Sequence, residues 1–158
     1  MGKYFTINEM CVSGSHQNLV VIPEKGTSIY NNLTYLIDRL DKIREKWGGP
    51  IIVTSGYRSP ALNKAVSGSK SSAHLTGMAA DMHPKSGNIM ALAALIATME
   101  MEFDQLILEK ITVKNGEIVG CQWLHIGFSR TKNRNQILAW DGKTYKPVKI
   151  TKEVKFTL

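Results

Sequence analysis

Apolar residues recur at three- and four-residue steps from Leu33 to Trp47, through Leu36, Ile37, Leu40 and Ile43. This one-sided stripe predicts an amphipathic helix over 28–47. Asp38, Arg39, Asp41, Lys42, Arg44, Glu45 and Lys46 fill the opposite face. Thr27 or Ser28 is placed to cap its start, and Gly48-Gly49-Pro50 stops it. A second stripe, Ile89, Leu92, Leu95, Ile96 and Met99, predicts a helix over 88–99. A short helix is expected at 61–66. The first 26 residues carry weaker patterning. One helical turn, capped by Thr6 or Asn8, is expected within 5–10. The apolar run 19–22, closed by Pro23, reads as a strand or a buried connector.

Between the helices the pattern shortens to strand length. Residues 51–54, 78–82, 103–108 and 123–128 are short runs of β-branched, small or apolar residues. Asn115-Gly116 between two apolar runs signals a hairpin with a type I′ turn. Residues 135–140 and 144–148, around Asp141-Gly142, read as a closing hairpin. The sum is an α+β fold, with two main helices on one side of a mostly antiparallel sheet. A single domain over 1–158 is expected, with 129–158 a basic C-terminal hairpin extension.

Composition changes this picture little, but charge adds to it. A hydrophobic fraction of 43% with 21% charged residues fits an ordinary globular domain. The net charge of +7 favours an anionic partner: nucleic acid, an acidic membrane or a cell-wall polymer. No aromatic-interleaved RNA motif accompanies the basic residues, so nucleic acid is not expected. No apolar run approaches the ~18 residues that span a bilayer. No apolar segment follows the charge at the amino terminus, so no signal peptide is expected and synthesis is placed in the cytoplasm. Cys11 and Cys121 form no metal-type pair and are expected as two buried free thiols.

The chemistry concentrates in Ser71–His83, which holds His74, Asp81 and His83. Imidazole nitrogens and carboxylate oxygens are zinc ligands, and three of them leave a position open for water. Gly77 allows a turn between His74 and Asp81. Two ligand sets are open on spacing alone: His74, Asp81 and His83, or His74 and Asp81 with His125 from a neighbouring strand. Arg58 follows a predicted strand in a Gly- and Pro-bounded turn, placed to reach a cleft, and 67–72 is a loop able to order around a ligand.

At these residues the chain resembles the zinc D-alanyl-D-alanine carboxypeptidases and the related phage L-alanyl-D-glutamate endopeptidases, M15-like peptidases of the Hedgehog/DD-peptidase fold. The resemblance rests on Ser55-Gly56-Tyr57-Arg58-Ser59-Pro60, on Ser72-x-His74-x-x-Gly77-x-Ala79-x-Asp81, on Phe103 to Glu109, and on Trp123-Leu124-His125. It implies one zinc ion held by His74, Asp81 and His125. It also implies Arg58 as an oxyanion partner, Ser72 as a substrate contact and Glu109 as an acidic residue beside the site. The family's usual acidic base, three residues before the last histidine, is here Gln122, which cannot take a proton. Glu109, Glu117 and His83 are the alternatives. The expected function is hydrolysis of peptidoglycan stem peptides by a monomer released to the cell wall in a phage or prophage setting. The other expectation is a weak or inactive cell-wall-binding domain of the same fold.

Overall fold

The computed structural model describes residues 2–158. Helix α1 spans Ser28–Trp47. The Thr27 hydroxyl accepts the Tyr30 N–H at its start, and Gly48, at φ 79°, ends it in the left-handed conformation. Helix α2 (Pro60–Ala65) is capped by Ser59, and α3 (Ile89–Thr98) by Asn88.

Ten strands follow in chain order: β1 Ile51–Ser55, β2 Ala79–Pro84, β3 Gln105–Glu109, β4 Thr112–Lys114, β5 Glu117–Gly120, β6 Trp123–Gly127, β7 Gln136–Trp140, β8 Tyr145–Pro147, β9 Lys149–Ile150 and β10 Phe156–Thr157. Six form the main sheet, in the order β1-β2-β6-β3-β7-β8. Every pairing in it is antiparallel except β3 with β7. The class is α+β.

Three features lie outside the sequence expectations. Strand β7 does form a hairpin with β8, but it also continues the main sheet parallel to β3. The last residues add β9 and β10, and β10 pairs with β5 to complete a second sheet, β4-β5-β10-β9. Phe156 is buried there. Residues 19–22 form neither a strand nor a buried connector. A single 3-10 turn at Gln17–Leu19 gives way to extended chain in which Val21 is 50% and Ile22 48% exposed. Apolar character alone does not make a strand where no neighbouring edge offers hydrogen bonds. The Asn115-Gly116 turn has φ of 52° and 77°, both left-handed as a type I′ turn demands. Cys11 is buried and Cys121 half-buried, both free.

Side chains alternate across a strand, so the sheet has two distinct faces. Ala80 and Met82 of β2, Leu124 and Ile126 of β6, Leu106 and Leu108 of β3, and Ala139 of β7 all join one hydrophobic core. Leu33, Leu36, Ile37, Leu40 and Ile43 of α1 and Leu92, Ala93 and Ile96 of α3 complete it. No helix is long and apolar enough to cross a membrane, among the described residues.

Candidate metal centre and cleft

The other face of the sheet forms the floor of a cleft of about 920 Å³. Its composition follows from register. Asp81 of β2 lies opposite His125 of β6, His125 opposite Ile107 of β3, and Ile107 opposite Leu138 of β7. One pleat further along, Glu109 of β3 lies opposite both Trp123 of β6 and Trp140 of β7, and Trp140 opposite Tyr145 of β8. All eight residues line the cleft.

The third member of the metal group comes from outside the sheet. His74 sits on a 3-10 turn, Ala73–Thr76, that the Ser72 hydroxyl caps by accepting the His74 N–H. Gly77 ends the turn at φ 74°, with Leu33 packed where a side chain would begin. Local geometry therefore drives the His74 imidazole into the floor, where it is almost fully buried. Its Nδ1 lies 2.7 Å from the Gly56 carbonyl. That partner can only accept, so Nδ1 carries the proton and Nε2 presents its lone pair. Gly56 admits no larger residue: a Cβ there would stand 2.1 Å from the Met10 carbonyl oxygen.

The three ligand atoms form a nearly equilateral triangle. His74 Nε2 is 3.3 Å from Asp81 Oδ1, His125 Nδ1 is 3.1 Å from the same oxygen, and the two nitrogens are 3.2 Å apart. Donors around a tetrahedral zinc with bonds near 2.0–2.1 Å stand about 3.3 Å apart. The donor set and its spacing fit that ion. Burial holds the His74 imidazole below its ordinary pKa against the pull of Asp81, so it stays neutral, as a ligand must be. Burial alone would raise Asp81, but His74 and His125 outweigh it and hold the carboxyl well below the usual range.

Arg58 reaches the cleft from the β1–α2 turn. Its backbone N–H donates to the His74 carbonyl at 3.0 Å, tying it to the ligand turn. Its Nη1 donates to Asn63 Oδ1 at 3.1 Å, while its Nε is buried with no partner. A buried guanidinium donor without an acceptor is costly unless a ligand supplies one. Asn63, only 5% exposed, also donates its Nδ2 to the Ser69 carbonyl and so links Arg58 to the 67–72 loop.

Glu109 is 7% exposed and is pushed up to about 7 by burial, with Asp81 adding to the rise and His125 opposing it. Gln122 does not enter the cleft. Its side chain is exposed, and its contribution is a backbone N–H donated to the Glu109 carbonyl. His83 is absent from the metal group, its Nδ1 lying against the Pro84 carbonyl. Glu117 pairs with Lys155 on the second sheet. Ser72 lines the cleft beside His74.

The sequence reading assigned no role to Asn63, Trp140 or Tyr145. The two aromatics could have been found by counting two-residue steps along predicted strands from Glu109 and Trp123. Asn63 gave only a weaker signal, a polar residue beside Leu62 on a helix too short for a clear periodicity.

A family model described as Peptidase M15 matches residues 3–113. The match takes in Arg58, His74, Asp81 and Glu109, and it ends before His125 and the aromatic residues of β6 to β8. No curated protein matches the chain.

Proposed function

The chain belongs to the peptidase M15 family, and from that premise we propose that it is a zinc peptidase cutting peptidoglycan stem peptides, within the stem or at its carboxyl end. The observation that carries the reading is the triangle of His74, Asp81 and His125, all three edges of which match a tetrahedral zinc. Zinc held there supplies Lewis acidity, polarising a carbonyl and making a water more acidic.

The chain's own residues account for the remaining chemistry. The Gly56 carbonyl fixes the His74 tautomer, and the β2–β6 ladder fixes Asp81 against His125. Glu109 is the general base. Burial raises its pKa to about 7 in the metal-free fold, and a cation bound nearby would favour the carboxylate, the form that takes a proton from water and returns it to the leaving amine. Arg58 offers its free Nε–H to the oxygen that gains charge during attack, and its own charge persists at any working pH. Ser72, next to the ligand turn, contacts the substrate backbone. The hydroxyl groups of Ser13, Ser15, Thr54, Ser55, Ser69 and Ser71 make the rest of that wall polar, which suits an amide-rich substrate. The non-catalytic alternative drew its support from Gln122. With that side chain outside the cleft and Glu109 inside it, the support is reduced.

The test is digestion of purified peptidoglycan by zinc-loaded protein, with and without chelator, followed by mass spectrometry of the products. The expected result is stem-peptide fragments that vanish with chelator. Intact stems after digestion by protein shown to hold zinc would overturn the proposal.

A further inference from the structure

The far end of the cleft floor is aromatic. Trp140 and Tyr145 are cross-strand partners whose rings lie within 25° of parallel, with centroids 6.1 Å apart. Trp123 meets Trp140 edge-on at 6.4 Å. Tyr145 is 57% exposed, so much of its ring is open to solvent. Lys110 lies over the Trp140 ring at 5.6 Å, and its ammonium lines the same cleft. The result is a shelf whose open ring is Tyr145, while Lys110 sits over one face of the half-buried Trp140. An apolar side chain favours an enclosed pocket. A pyranose ring offers a flat face of polarised C–H groups to an aromatic ring's negative face and directs its hydroxyls to the edges. Both features match the shelf and its rim.

Position supports the same ligand. Trp140 is two strands and one pleat from His125, and Tyr145 one strand further, so the shelf lies about 12–16 Å from the metal triangle. About four to five residue-lengths of extended chain span that gap. A sugar on the shelf and a stem-peptide bond at the triangle are therefore within reach of one muropeptide. Trp140 and Tyr145 also lie beyond the residues that the family model matches.

We propose that Trp140 and Tyr145 form a saccharide subsite that stacks an N-acetylated sugar ring of the glycan strand. The choice of sugar rests on the peptidoglycan reading above, but the binding does not require hydrolysis.

The test is calorimetry and tryptophan fluorescence on the full chain, treated with chelator. The probes are the N-acetylglucosamine tetrasaccharide and, separately, a sugar-free stem pentapeptide. The tetrasaccharide is expected to bind saturably and perturb tryptophan emission. Tyr145→Ala and Trp140→Ala should each weaken it about tenfold, while Tyr145→Phe retains it. Tyr145 is mostly exposed, so its truncation does not depend on the core tolerating a cavity. Absence of saturable binding, or binding undiminished in both alanine variants, would overturn the proposal. So would a shelf occupied by the sugar-free pentapeptide in preference to the tetrasaccharide. Because the protein is metal-free in this test, a failed sugar site and a failed peptidase reading give separate results.

Discussion

Glu109 and Trp140 stand side by side on parallel strands, in register, one pleat away from the row that carries His125. Trp123 closes the other side of Glu109. Two indoles thus border a carboxyl group that faces the cleft but has little access to water. The sheet register both places this group near the metal triangle and removes its solvent, which is what a base working near neutrality requires.

Replacing Glu109 by Gln should lower kcat/KM for muropeptide hydrolysis about a hundredfold or more, with zinc content unchanged. Gln122→Glu should leave the rate within a few-fold of the parent, because the exposed Gln122 does not line the cleft. Steady-state kinetics beside metal analysis separate these outcomes. A large gain in Gln122→Glu would move the base to position 122.

Metal-free stability should depend on pH with a definite sign. Glu109 titrates at about 7 in the fold against an ordinary 4.5, so between those values the native state holds a proton that the unfolded chain has released. Its contribution is complete below pH 4.5 and is lost as pH rises through 7. Asp81, held below its ordinary 3.8, acts oppositely: its contribution is present above that value and lost as pH falls. Depressed His74 opposes Glu109 below its ordinary 6.5, so the melting temperature of the metal-free protein should drop from pH 6.5 to 7.5, and Glu109→Gln should flatten that drop. An equal drop in the variant would assign it to other groups.

His74→Ala should abolish stoichiometric zinc binding, and His83→Ala should retain it. Zinc at a thousand times its Kd should stabilise the parent protein by about 4 kcal/mol, and chelator should reverse the gain. Metal analysis and thermal melts read both. Zinc loss in His83→Ala would bring that residue back as a ligand.

Gly68→Ala probes how Arg58 is held. A Cβ there would stand 2.0 Å from Asn63 Oδ1 and 2.6 Å from Arg58 Nη1. The guanidinium must shift, and kcat is expected to fall about 10- to 100-fold while zinc content stays constant. Kinetics equal to the parent's would mean that the position of Arg58 is immaterial to the reaction.

The parts of this fold that local chemistry determines were open to reading. The α1 stripe, its Thr27 and Gly48 ends and the Asn115-Gly116 turn each depend on neighbours within a few residues. The metal group was half legible: His74 and Asp81 share one segment, but choosing His125 over His83 needed the β2–β6 register, which local spacing does not contain. The resemblance supplied that choice. Glu109 was named as a candidate, yet its burial between Trp123 and Trp140 depends on β7 lying parallel to β3, a long-range pairing. The β10–β5 pairing was hidden for the same reason, since residues 156–157 are too short a run to signal a strand. Residues 19–22 had the composition of a strand but no partner.

The metal triangle has two corners of one kind and one of another. Asp81 and His125 are locked by a strand ladder inside the sheet, whereas His74 sits on a four-residue turn held by Ser72, Gly77 and hydrogen bonds to the Gly56 carbonyl and the Arg58 N–H. Opening that turn displaces one ligand without breaking a strand pairing. Exchange of a bound ion is therefore expected to follow local opening of residues 72–77 and their contacts to 56–58, without global unfolding.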